Sequence, residues 1–179
     1  LNSNFQALRF FAERSGSGYT FSMWLQRLRD TFFIRVWAFA KVPMIWACHP
    51  TVIELSDQRC EIKLPLRRFT KNHLKSMYFG ALAVGADVAG GLMAIRYTQA
   101  RKSRVSLVFK DFKANFLKRP ESDVHFSCEQ GDAIRALVEK AETSGERENL
   151  TVHVTATCPS TSGSDPVAVF ELTLSLKRR

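Results

Sequence analysis

The stretch from Asn72 to Arg96, NHLKSMYFGALAVGADVAGGLMAIR, constrains this chain more than any other. Between Lys75 and Arg96 it carries a single formal charge, Asp87, among Ala, Gly, Val, Leu and Met. A helix that is apolar all round is normally a buried one. Gly80, Gly85, Gly90 and Gly91 each lower helix propensity by about 1 kcal/mol relative to alanine. Close approach of neighbouring backbone is the compensation such a helix can receive. A carboxylate placed in that dry setting must find a partner or shift its pKa. Asp87 therefore reads either as a functional group or as a structural carboxylate paired with a neighbour such as Asn72.

The flanking patterns supply what would cover such a helix. Leu25, Leu28, Phe32, Val36 and Phe39 recur at helical spacing, with Thr20 or Ser22 as N-cap and Pro43 as terminator or kink. This helix is expected to lay that apolar face on the protein's own sheet. Ahead of it, residues 1–20 contain the flexible run Ser15-Gly16-Ser17-Gly18 and read as a peripheral arm. From Pro50 the period changes to two: Val52 to Leu55, a turn at Ser56-Asp57-Gln58, then Cys60 to Leu66. After the central helix come strands from Val105 to about Leu117 and from Val124 to Cys128. A second helix over Gly131–Gly145 and two further strands, starting at Thr151 and near Phe170, complete the order. Short turns make the strands antiparallel. The expected fold is α+β, with a curled antiparallel sheet wrapped around the Ala/Gly-rich helix.

With these residues in place, the chain resembles the hotdog-fold thioesterases. In their PaaI-like branch an Asn opens the loop before the central helix, a His-Gly-Gly turn starts the helix, and an Asp follows fifteen residues after the Asn. Asn72 and Asp87 have that spacing, and Gly80 matches the second glycine of the turn. Tyr78 and Phe79 stand where the His and the first Gly would be. NHLKSMYFGALAVGAD together with FKDFKANFLKRP (Phe109 to Pro120) is more similar to a thioesterase-like hotdog subgroup of poorly defined function. The resemblance spans roughly Phe33 to Lys177, giving an arm over 1–28 and a hotdog domain over 29–179.

The resemblance implies hydrolysis of an acyl-CoA or acyl-carrier thioester in a homodimer, with a tetramer left open. The residue chemistry agrees. A helix starting near Phe79 presents free N–H groups and the positive end of its dipole, so the N–H groups of Phe79 and Gly80 suit an oxyanion. Asp87 is the candidate base or nucleophile. Asn72 would orient the water or the thioester. Phe79 and Asp87 are eight residues apart, about 12 Å along one helix, so the site closes only if a second helix passes antiparallel. Ser106 is a candidate assistant on the following strand. Lys71, Lys75 and Tyr78 are candidate substrate contacts, and the basic residues Arg67, Arg68, Arg101, Lys102 and Arg104 suit phosphates or an acidic carrier. Trp37, Met44, Trp46 and Met77 are candidates for lining an acyl tunnel. No cofactor or metal is expected.

Other classes fit less well. The net charge of +9 invites a nucleic-acid reading, but no interleaved aromatic and basic motif supports it. Met77 to Ile95 has the composition of a membrane span, which Asp87 near its centre opposes. Cys48, Cys60, Cys128 and Cys158 show no ligand spacing and read as buried small hydrophobes in a reducing, cytoplasmic setting. The replacement of His-Gly by Tyr78-Phe79 keeps open a non-catalytic dimer that binds acyl-CoA or fatty acyl chains.

Overall fold

A computed structural model of the protein describes residues 17–179, and the expected arm lies outside them up to residue 16. The elements are, in chain order, α1 (Ser17–Lys41), α2 (Pro43–Ala47), β1 (Thr51–Leu55), β2 (Cys60–Leu64), α3 (Phe79–Ala100), β3 (Val105–Phe116), β4 (Val124–Cys128), α4 (Gly131–Ser144), β5 (Glu148–Thr157), α5 (Pro159–Ser162) and β6 (Pro166–Arg178). Helix α1 begins ahead of both expected caps. Pro43 opens α2, where its missing N–H is harmless.

All pairings are antiparallel, in the order β1-β2-β4-β5-β6-β3. The fold is α+β and hotdog-like, but the expectation that the sheet curls around α3 is wrong. The sheet is open, with β1 and β3 as its two edges. Period-two alternation says which residues face the core; it carries no information about closure, and the cover of α3 comes from elsewhere. The sheet covers one side of the helix. Residues of α1 and α2, among them Ile34, Trp37 and Ile45, stand over another, beside Val88, Leu92 and Ile95. Helix α4 buries Ile134, Leu137, Val138 and Ala141.

The glycines of α3 do what their propensity cost demands. A Cβ on Gly85 would sit 2.3–2.7 Å from the ring of Phe126, and one on Gly90 would meet Val152 at 3.3 Å. The helix therefore lies directly on β4 and β5. It is long and apolar enough to cross a membrane by length and composition, yet two thirds of its apolar window (67%) is buried inside the protein.

Helix α1 reverses the expected orientation. Its buried residues are Ile34 and Ala38, whereas Leu25, Leu28, Phe32, Val36 and Phe39 face outward, Phe32 at 70% exposure. The cause is the free edge of β1. Arg35 donates to the Pro50 carbonyl at 2.9 Å and to Thr51 Oγ1 at 3.1 Å, Thr31 Oγ1 accepts from Val52 N at 2.9 Å, and Gln26 donates to the Leu55 carbonyl at 3.3 Å. Satisfying buried backbone groups turns the polar flank of α1 inward. The four cysteines are free and buried, as expected.

Candidate active site

The loop entering α3 is built around Asn72. Its Oδ1 accepts from Leu74 N at 2.9 Å and Ser76 N at 3.2 Å, and its Nδ2 donates to Ser76 Oγ at 3.0 Å. Lys75, in the left-handed region at φ 65°, completes the turn. Lys71 bridges to Met77, and Tyr78 N donates to the Thr70 carbonyl at 2.8 Å. Helix α3 then starts with Tyr78 as N-cap in extended backbone and no side chain capping it. Its carbonyl receives Ala81 N and Leu82 N, which leaves the N–H groups of Phe79 and Gly80 without an acceptor among the described residues, as a first helical turn allows. The Tyr78 ring lies over Gly80, within 2.5 Å of where a Cβ would stand, and packs on Phe79 with centroids 4.6 Å apart. Gly80 thus makes room for the tyrosine.

Two hollows border α3 on this side. One, of about 560 Å³, is lined by Asn72, Ser76, Met77, Tyr78, Phe79 and the segment Phe116 to Pro120. The other, of about 180 Å³, is lined by Asp87 and apolar side chains from α1, α2, α3 and β3, among them Ile34, Trp37, Val42, Leu92 and Phe109. Burial alone pushes the Asp87 carboxyl from 3.8 up to about 6. It makes no side-chain hydrogen bond and no ion pair among the described residues. Asn72, Tyr78 and Phe79 thus share one hollow, and Asp87 opens on the other. Ser106 joins neither: its Oγ donates to the Lys177 carbonyl at 3.0 Å. Lys71 and Lys75 are exposed and make no ion pair among the described residues. Of the candidate tunnel residues, Trp37 lines the Asp87 hollow and Met77 the other, while Met44 and Trp46 are exposed.

A wider concavity, about 800 Å³, is on the opposite sheet face. Its charges satisfy one another. Arg59 pairs with Glu54, Glu61 and Glu129, and the His125 hydrogen bond at 2.8 Å holds Glu61 below the ordinary carboxylate range.

The apolar lining contributed by Ile34, Val42 and Ile45 was not singled out by sequence reasoning, nor was the wall at Phe116 to Pro120. Helical periodicity does not say which face turns inward. The wall was quoted only as part of a resemblance, although a strand that ends in Phe116-Leu117 and breaks at Pro120 is a readable boundary.

An open antiparallel sheet carrying one long naked helix, with a free N-terminal turn and a half-buried Asp two turns on, defines a hotdog-like α+β fold. The chain belongs to the family of the domain of unknown function DUF4442, whose model matches residues 31–174. In three dimensions it is similar to a thioesterase candidate from Shewanella oneidensis (14% identity, TM-score 0.68, covering 84% of this chain and 99% of that one). It is also similar to a protein of unknown function from Chlorobaculum tepidum (11%, 0.73, 86% and 97%) and to a thioesterase from Haemophilus influenzae (13%, 0.58, 78% and 86%). At these identities the likeness is one of fold. No curated protein matches the chain in sequence.

Proposed function

We propose that the protein is a thioester hydrolase acting on acyl-CoA or acyl-carrier substrates at the interface of a homodimer. The carrying observation is Asp87: a carboxylate with no partner among the described residues, raised to about 6 by burial, beside an apolar hollow on a thioesterase-type fold. Such a group suits a base working near neutral pH. The spacing of Asn72, Gly80 and Asp87 supports a reading within the PaaI-like branch, as its thioesterase-like subgroup of poorly defined function with Tyr78-Phe79 in place of His-Gly.

Edge strand β3 supplies a way to close the site. Leu107 to Phe109 border the Asp87 hollow and Phe116 to Arg119 border the helix start. Two copies pairing β3 antiparallel about Phe112 would set Val108 opposite the partner's Phe116. Asp87 of one copy would then approach the free N–H groups at the partner's helix start. Phe112 and Phe116 are about half exposed on the helix side of the sheet, against Phe170, as expected of a surface awaiting a cover.

In that arrangement the N–H groups of Phe79 and Gly80 receive the carbonyl oxygen as it becomes an oxyanion. Asp87 takes a proton from water as it attacks the carbonyl. The oxyanion collapses with cleavage of the C–S bond, the thiolate leaving as the thiol with the proton that Asp87 had taken. Alternatively the carboxylate itself attacks and expels the thiolate to give an anhydride, which water hydrolyses to the free acid and Asp87. Asn72 holds the loop that sets where the helix begins, and Lys71 and Lys75 meet the carrier's phosphates. The acyl chain enters the apolar hollow. A second reading, a non-catalytic acyl binder, is favoured by one observation: the Tyr78 ring covers Gly80.

Hydrolysis of short, long and aromatic acyl-CoAs by the wild type and by Asp87→Asn tests the assignment. Turnover in the wild type that falls at least about a hundredfold in the variant, with the dimer intact, is the expected result. Binding without turnover would establish the second reading. Equal turnover by both proteins would remove Asp87 from the mechanism.

A further inference from the structure

The outward face of α1 is the largest feature that the site does not use. Phe21, Trp24, Leu25, Leu28, Phe32, Val36 and Phe39 form one stripe about 27 Å long at the helical rise. Met44 and Trp46 of α2 continue it, with Trp46 against Phe39 at 5.4 Å. A patch of that length exceeds what solvent-exposed surface normally carries without a role.

Charge identifies what covers it. Arg27 and Lys41 project from the opposite side of α1 and take no part in the stripe. Asp30 is the lone acid of α1 and is held by Arg29 at 3.3 Å. Beyond the helix, the loop Arg67-Arg68-Phe69 presents two cations with no ion pair among the described residues, beside a phenylalanine that is 79% exposed. This loop is close enough for the charge of Arg67 to add to burial in lowering the Arg35 pKa. An exposed aromatic and aliphatic stripe with the unpaired Arg67 and Arg68 nearby is the composition of a surface that lies in a lipid headgroup region.

We infer that the outer face of α1, with Met44, Trp46 and the Arg67-Arg68-Phe69 loop, docks the protein on an anionic membrane surface. The helix lies on the bilayer and does not span it, since Arg27, Arg29, Asp30 and Arg35 interrupt it. This inference does not rest on the hydrolase reading.

Co-sedimentation of the full chain with phosphatidylcholine vesicles, with and without about 30 mol% phosphatidylserine, tests it. The wild type is expected to bind the anionic vesicles, and to bind about tenfold more weakly to neutral ones or at about 0.5 M salt. Leu28→Glu with Phe32→Glu, both exposed and remote from the core, should weaken binding by at least about tenfold. Arg67→Glu with Arg68→Glu should do so without touching the stripe. Light scattering and circular dichroism report oligomeric state and folding for each variant. Absence of binding to anionic vesicles would overturn the inference, as would binding that the paired variants leave unchanged. Variants that split an oligomer while vesicle binding is absent would assign the face to a second copy.

Discussion

Asp87→Asn should stabilise the protein at neutral pH, and the size of the gain follows from the carboxyl's surroundings. Burial raises the Asp87 pKa from 3.8 to about 6, with no compensating partner. A carboxyl whose folded pKa is raised holds its proton more tightly in the folded state. Stability is therefore greatest below about pH 4, falls as pH rises from there to about 6, and is flat above. The loss corresponds to about 3 kcal/mol at pH 7.5 and about 1 kcal/mol at pH 4.5. Asparagine removes the charge but still buries an amide, which costs part of the gain, so about 1–3 kcal/mol should be recovered at pH 7.5. For a chain of this size that is a rise in Tm of roughly 3–10 °C. Thermal unfolding of both proteins at pH 7.5 and 4.5 reads it directly, with the advantage of the variant shrinking at the lower pH. A variant less stable than the wild type at pH 7.5 would mean that the Asp87 carboxylate is paired, for example by a donor from a second copy. The structural role would then stand in place of the poised base.

Two further predictions concern α3. Gly85→Ala places a methyl group 2.3–2.7 Å from the fully buried Phe126 ring, so overpacking of about 1–3 kcal/mol or more should outweigh the helix-propensity gain of about 1 kcal/mol. Gly91→Ala, whose methyl meets only the outer end of the partly buried Phe109 ring at 3.2 Å, should be near neutral; denaturant midpoints of both variants check the contrast. Tyr78→Ala uncovers Gly80 and should raise kcat/KM for a thioester by up to about a hundredfold, the contribution of one oxyanion donor. A fall instead would make Tyr78 a substrate contact.

The sequence announced the central helix and the succession of helices and strands along the chain because both depend on short-range pattern, whereas the hairpin-like turn near Pro120 joins β3 and β4 without pairing them. The apolar run with its four glycines could only be a buried helix, and the alternation at Cys60 to Leu66 and Phe170 to Leu176 matches β2 and β6. What depended on long-range geometry was not legible. Closure of the sheet is decided by whether β1 meets β3, and nothing in either strand encodes that. The short helices α2 and α5, of five and four residues, are below the length at which periodicity speaks. Asn72, Phe79, Gly80 and Asp87 were candidates, through a family resemblance and the helix start, but that Asn72 and Phe79 line one hollow and Asp87 another required coordinates. The orientation of α1 was misjudged for a physical reason. Leu25, Leu28, Phe32, Val36 and Phe39 outweigh Ile34 and Ala38 in any hydrophobic count, yet Gln26, Thr31 and Arg35 are committed to the backbone of β1.

That commitment links the two faces of α1. Ile34 and Trp37 on its inner side line the hollow beside Asp87, while Phe32, Val36 and Phe39 lie outward within one turn of them. A helix that roofs an acyl-sized hollow on one side and offers an apolar stripe on the other can shift both together, because its side chains are packed as one rigid element. If the stripe rests on lipid, a long acyl chain leaving the bilayer has about the width of one helix to travel before reaching the hollow. Anionic vesicles should then accelerate hydrolysis of long-chain acyl-CoA and leave short-chain turnover unchanged. Leu28→Glu with Phe32→Glu should abolish that acceleration while leaving short-chain kcat/KM intact. Equal acceleration of short and long substrates would mean that the membrane only concentrates the protein, and that α1 is a dock without being a gate.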